Sequence, residues 1–195
     1  MPLAGPWTQA VTVRGLLDGS VQRDVGDKNR SASNGSQVAP ARLEEASRPA
    51  VLAHFLRLSD VDRHMRFLQV MSDQAIEAYV ARIDFSKAIC FGIFEAPNTL
   101  IAFAEAIPYS AGSRLVAEAA FSTDQAWRQK GLARQLCDGL GQAVLGVGVD
   151  RVVLHCHRRN TPMRALLRAI DAVSDADDGD LHSEWDPGSS IASVR

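Results

Sequence analysis

Beyond Pro40 the apolar residues fall into two spacings, and each predicts a different kind of element. Residues 44–58 set Val51, Leu52, Phe55 and Leu56 on one side of a 3.6-residue period, the mark of an amphipathic helix. Asp60 and Asp62 open a further helix, where acidic side chains suit the positive end of the dipole. Met65, Leu68, Val70 and Met71 add apolar surface, and Ser72 is placed to cap a helix that carries Ile76, Tyr79, Val80 and Ile83. The spacing then shortens. Residues 88–94 and 100–108 are compact apolar runs around the turn signal Pro97-Asn98, which predicts a hairpin. A third run, residues 114–123, follows the small turn Ala111-Gly112-Ser113. Helical spacing returns over residues 132–147, with Leu132, Leu136, Leu140, Val144 and Leu145 on one side. Val152, Val153 and Leu154 make residues 150–156 a strand, and Thr161-Pro162 starts a helix lined by Met163, Leu166, Leu167 and Ile170. The acidic residues 175–180 read as a turn between two short end strands, and residues 36–43 as a weak first strand. The order of elements predicts an α/β or α+β layered fold with a mixed sheet flanked by helices.

Composition sets the limits of this domain. Residues 18–40 are rich in Gly, Ser, Asn, Asp, Lys and Arg and hold little that can offset the entropy of ordering. Residues 1–35 therefore read as a mobile tail, 36–186 as one domain and 187–195 as a C-terminal tail; residues 8–17 alternate weakly and admit an extra strand. A chain of 195 residues suits a single core, and a formal net charge of -2 gives no global pull toward nucleic acid or an acidic membrane. Any anion site must be local. Cys90, Cys137 and Cys156 are widely spaced with no CxxC pair, so neither a disulfide framework nor a zinc ribbon is expected. A reducing cytoplasm is the expected location, because the start lacks the pattern of a signal peptide and no apolar run reaches membrane-spanning length.

The informative segment is Phe121-Ser122-Thr123-Asp124-Gln125-Ala126-Trp127-Arg128-Gln129-Lys130-Gly131-Leu132-Ala133-Arg134, a strand that leads through a basic turn into a helix. Unpaired N–H groups at such a helix start hold phosphate oxygens, and the dipole favours their charge. Gly131 and Ala133 permit close approach to the backbone, and Arg128, Lys130 and Arg134 add positive charge. The same residues also fit an ordinary surface helix start. A P-loop is excluded, since Lys130 precedes the Gly and no Ser or Thr follows it; a dinucleotide fingerprint is excluded by the single Gly.

The pattern Arg-x-x-Gly-x-Ala over Arg128, Gly131 and Ala133 resembles the coenzyme A motif of the GNAT N-acetyltransferase superfamily. Leu58-Ser59-Asp60-Val61-Asp62-Arg63-His64-Met65-Arg66-Phe67 and Ile83-Asp84 resemble its branch of bacterial protein lysine acetyltransferase domains. The resemblance spans about residues 36–186. It implies a GNAT fold with splayed middle strands, acetyl-CoA as cosubstrate, and an amine acceptor such as a protein lysine. From charge, apolar runs and Cys and His spacing, no metal, nucleic-acid or membrane partner is expected, and the chain is expected to be a monomer or homodimer. The resemblance further implies that the backbone of Phe121, Ser122 and Thr123 pairs with the acetyl and pantetheine end. Arg128, Gln129, Lys130, Gly131, Leu132, Ala133 and Arg134 would hold the pyrophosphate, and Asn160 the pantetheine arm. On the residues alone, Asn160 is equally a helix cap.

Attack on a thioester needs a neutral amine, so a base is required near pH 7. Glu118 is the candidate, a lone carboxyl in a small apolar run where burial raises the pKa, and Ala117-Glu118-Ala119-Ala120 resembles the catalytic Glu of the lysine acetyltransferase branch. The bland alternative is a surface carboxylate paired with a Lys or Arg. Glu105 is the reserve, and if both carboxyls face the cleft their repulsion raises one pKa. No Tyr follows the last core strand as a general acid; the tyrosines are Tyr79 and Tyr109. In His155-Cys156-His157 the two histidines project to one side of a strand and the cysteine to the other, so a structural role outweighs a zinc site. The turn departs from the family in Gln129 and Ala133, where Gly is common, and residues 169–172 lack the usual Leu-Gly-Phe ending. These departures keep open a second reading, a non-catalytic acyl-CoA-binding sensor or interaction module.

Overall fold

The computed structural model describes residues 39–177 and 180–192. Helix α1 (Arg48–Arg57) follows a 3-10 turn at Glu45–Ser47, with Pro49 in its first turn, where a missing N–H costs nothing. Helices α2 (Asp60–Phe67) and α3 (Asp73–Ala81) begin at Ser59 and Ser72, whose hydroxyls accept from the amides of Asp62 and Ala75. The hairpin forms as β2 (Ile89–Ala96) and β3 (Thr99–Ala111), the third run as β4 (Arg114–Thr123). After a 3-10 turn at Gln125–Trp127 come α4 (Leu132–Gly146), β5 (Arg151–His157) and α5 (Thr161–Ala169). The chain ends in β6 (Val173–Asp177), β7 (Asp180–Trp185) and α6 (Pro187–Ala192). Helix α6 stands where the composition suggested a tail from residue 187. The mobile tail expected over residues 1–35 lies outside the described residues, and of the first expected strand only β1 (Ala41–Arg42) forms among the described ones.

Seven strands make one mixed sheet in the order β1-β2-β3-β4-β5-β7-β6. Every pairing is antiparallel except β4 with β5. These two parallel strands pair from Val116 to Ala119 against Arg151 to Leu154 and then diverge, although β4 continues to Thr123 and β5 to His157. The splay leaves the backbone edges of both strand ends without each other as partners.

The pleat assigns the two faces. Ala102, Ala104, Ala106, Ala117 and Ala119 point to the face covered by α4, and their small side chains let Leu132, Leu136, Leu140 and Val144 lie close to the sheet. Gly141 continues this logic, because a Cβ there would stand 2.9 Å from the ring of Trp185. On the other face Phe103 meets Phe55, Val51, Ile76 and Val80 from α1 and α3. Among the described residues no helix is long and apolar enough to cross a membrane.

Candidate active site

Strand β4 places its functional groups by alternation. Glu118 sits opposite Ile107 of β3 and Val153 of β5, and Glu105 sits opposite Ala120, so both carboxyls occupy the face toward α1 to α3. Their surroundings differ. Glu105 is 1% exposed, takes the Arg66 guanidinium at 2.5 Å and accepts a hydrogen bond from the Tyr79 hydroxyl. Glu118 is 7% exposed, and its Oε1 has no hydrogen-bond partner among the described residues. Burial pushes its carboxyl up to about 7; Arg66 opposes the rise and Glu105 adds to it. Glu105 therefore serves as an anchored neighbour, and the free carboxyl is Glu118.

Beside Glu118 lie two histidines of neighbouring strands. His155 Nε2 is 3.9 Å from Glu118 Oε1, and the His155 ring stands 4.8 Å from that of His182 on β7. Cys156 points the other way into the core, 2% exposed. Among the described residues no group of three or more His, Cys, Asp or Glu is placed to hold a metal ion.

The splay of β4 and β5 opens into a groove of about 530 Å³ walled by α2 on one side and α5 on the other. Phe121, Ser122, Thr123, Arg128, Gln129, Gly131, Leu132, Ala133, Arg134 and Asn160 all line it. Lys130 does not belong to the lining; its Nζ lies 4.1 Å from the centre of the Trp127 ring. At the base of the groove α4 starts from Gly131, in the left-handed region at φ 76, with no side chain capping its amides. Helices α2 and α5, which wall the groove, are capped by Ser59 and Asn160, so of the helix starts around the groove that of α4 keeps its N–H groups free of a side-chain cap. The carboxamide oxygen of Asn160 accepts from the Met163 amide at 3.1 Å, which makes it both a helix cap and part of the wall. These features fit the phosphates and narrow arm of coenzyme A.

Two groups escaped the reading of the sequence. Asp62 on α2 pairs with Arg128 at 2.5 Å, so a carboxylate stands inside the basic turn. Arg134 is also engaged, with Asp138 at 3.2 Å and the Ala169 carbonyl. His54 on α1 is fully buried, and its Nε2 faces the Ser122 hydroxyl at 2.8 Å. Its Nδ1 meets two acceptors, the Leu100 carbonyl at 3.1 Å and Asp124 Oδ1 at 2.9 Å. Neither acceptor carries a proton to give, so Nδ1 holds a hydrogen toward them, and Nε2 and the Ser122 hydroxyl share the other hydrogen bond. The N–H is aligned on the Leu100 carbonyl, and Asp124 Oδ1 lies off that axis. A helical period shows that His54 neighbours the buried Val51 and Phe55 but not which strand it meets.

The family model described as Acetyltransferase (GNAT) family matches residues 55–170, the stretch that contains α2, Glu118, the turn and Asn160. The chain belongs to the GNAT acetyltransferase family. None of the curated proteins matches this GNAT sequence significantly. Among solved structures it is similar to the GNAT domain of PAT from S. lividans, with a TM-score of 0.64 at 17% identity over 75% of this chain and 89% of that one. Spermidine N-acetyltransferase from Vibrio cholerae, in complex with CoA and spermine, gives 0.60 at 17% identity over 80% and 99%. PaiA N-acetyltransferase from Thermoplasma acidophilum, in complex with coenzyme A, gives 0.54 at 14% over 75% and 97%. At these identities the likeness is one of fold, and it extends to the mixed sheet and its flanking helices.

Proposed function

We propose that this GNAT protein transfers an acetyl group from acetyl-CoA to a primary amine, which attacks the thioester directly while Glu118 takes its proton. The observation that carries the reading is a buried carboxyl with a free oxygen, titrating at about 7, on the strand that runs into the uncapped start of α4. Acetyl-CoA supplies the activated acyl group. In this reading the amides of Gly131, Leu132 and Ala133 bind pyrophosphate oxygens, and Arg128, Gln129, Lys130 and Arg134 stand around them. The backbone of Phe121, Ser122 and Thr123, at the diverging end of β4, holds the pantetheine arm and donates to the oxyanion. Asn160 contacts the same arm from α5.

For the acceptor we infer a protein lysine or a small-molecule amine, with the lysine acetyltransferase branch as the nearer relation. The resemblance of residues 58–67 supports that branch; the fold shared with a spermidine N-acetyltransferase keeps small amines as the other acceptor class. The described cysteines Cys90, Cys137 and Cys156 are buried and unpaired, which suits a reducing cytoplasm. Incubation with acetyl-CoA and a panel of lysine peptides, polyamines and amino acids, followed by assay of released CoA thiol, tests the proposal. Saturable, amine-dependent release is expected. Failure to bind CoA together with failure to release it from acetyl-CoA overturns it.

A further inference from the structure

Glu118 as base leaves a physical question, which is where its proton goes. The carboxyl side chain is 10% exposed, so it has little direct access to bulk water. A base that cannot discharge cannot turn over. Three side chains on the same face of adjacent strands form a gradient of exposure leading outward. Glu118 on β4 is at 10%, His155 on β5 at 30% and His182 on β7 at 46%. The steps between them are short. Oε1 of Glu118 and Nε2 of His155 are 3.9 Å apart, a gap that one water or a small rotation closes, and the two imidazole rings, directly opposed in the β5/β7 register, are 4.8 Å apart.

We propose that His155 is the proton outlet of Glu118, and that His182 is the second station between it and solvent. This rests on the acetyltransferase reading above. In the step, the N–H bond of the acceptor amine breaks as the Glu118 O–H bond forms. The Glu118 proton then passes through a bridging water to His155 Nε2, which gives imidazolium and restores the carboxylate. The imidazolium releases the proton through His182 to bulk water, and no other reactant is consumed. His155 acts through Glu118 and is a positioning and proton-carrying residue.

The electrostatic setting agrees. Burial and the neighbouring His182 lower the His155 pKa, with Asp180 of β7 opposing, so His155 holds a proton less tightly than Glu118 and serves as a transient station that passes it on rather than as a sink. The other charged or titratable groups near the pair are Arg66 of α2, tied to Glu105 of β3, and Tyr109 of β3. On the outer strands stand Glu184 of β7, 4.0 Å from His182, and Asp175 of β6, opposite it in register. His157, next along this face of β5, keeps company with His64 of α2 at 6.5 Å between rings.

The test has an activity arm and a titration arm. His155→Gln is expected to lower kcat by about 10- to 100-fold with the KM for acetyl-CoA unchanged, and His182→Gln by only a few fold. For His155→Ala, millimolar imidazole is expected to restore part of kcat, which a purely structural role would not allow. In the second arm, NMR titration of the histidine rings is expected to show an inflection near pH 7 on His155, caused by its neighbour, that vanishes in Glu118→Gln. Full kcat in His155→Gln, or a His155 titration indifferent to Glu118→Gln, overturns the relay. Failure of the wild-type protein to acetylate any amine overturns the proposed function instead, and the ring titration still decides whether the two groups are coupled.

Discussion

Glu105 and Glu118 face the same side of adjacent strands, yet one is neutralised by contact and the other is left alone with its burial. Glu105 receives Arg66 and Tyr79, whereas Glu118 has no hydrogen-bond partner on Oε1. The consequence for pH follows from sign. A carboxyl whose folded pKa is about 7, raised from 4.5, is the base only above that value, so the amine-transfer rate should climb as pH rises through 7 and level above it. Stability runs the other way. The folded state holds the extra proton between 4.5 and 7, so the contribution of the neutral carboxyl is full below 4.5 and is lost as pH rises through 7. Glu118→Gln should therefore cost about 100-fold or more in kcat, keep its affinity for CoA, and unfold at higher urea at pH 8, by on the order of 3 kcal/mol, with no gain at pH 4. Parallel kinetics and urea titrations check all three. The sequence exposed Glu118 because a carboxyl in a run of alanines is conspicuous. It could not show that Glu105 is taken, since both of its partners come from helices 26 and 39 residues away.

At the scale of elements, the junction from β4 to α4 is the most demanding piece of backbone. Gly131 holds φ 76 with open space where a side chain would stand, so Gly131→Ala meets backbone strain of about 1 to 2 kcal/mol without a clash. Calorimetry with CoA should find weaker binding for that variant, because the helix start shifts to relieve the strain. Helix α2 supplies the opposite influence. The Asp62 carboxylate accepts from Ser59 through Oδ2 and holds Arg128 through Oδ1, so under the proposed function it would compete with phosphate for the same guanidinium. Asp62→Asn should bind CoA several-fold more tightly at low salt, with the gain shrinking at high salt and absent for acetyl-pantetheine, which lacks the pyrophosphate. Equal affinity for CoA in the two proteins would remove Asp62 from the site. The starts of α2 to α5 were legible from Asp60 and Asp62, Ser72, Gly131 and Thr161-Pro162, because acidic first turns, caps and turn residues are local signals. The meeting of α2 with the turn was not, since no periodicity records which helix covers which strand end.

For the whole molecule, one buried side chain joins the helical layer to the diverging strands. His54 links α1 to the start of β3 through the Leu100 carbonyl and to the end of β4 through Ser122, while Arg57 reinforces the same corner on Asp124 at 3.0 Å. His54→Ala leaves the Ser122 hydroxyl and the Leu100 carbonyl without this partner and opens a cavity, so a loss of about 2 to 4 kcal/mol in urea unfolding is expected. His54→Phe keeps the volume but not the hydrogen bonds, and comparison of the two variants separates packing from polar satisfaction.

The sequence by itself determined the order of the elements from α1 to the end hairpin, though not α6, together with the basic turn before α4 and the isolated carboxyl on β4. Each of these is written in neighbouring residues, as a spacing, a cap or a lone charge among alanines. The tertiary structure alone decided which cations are already paired, that Asp62 stands among them, that His54 bolts α1 to the strand ends, and that His155 and His182 line up outward from Glu118. Those facts are contacts between segments far apart in the chain, set by sheet register and by the placement of helices over it, and local pattern carries no information about either.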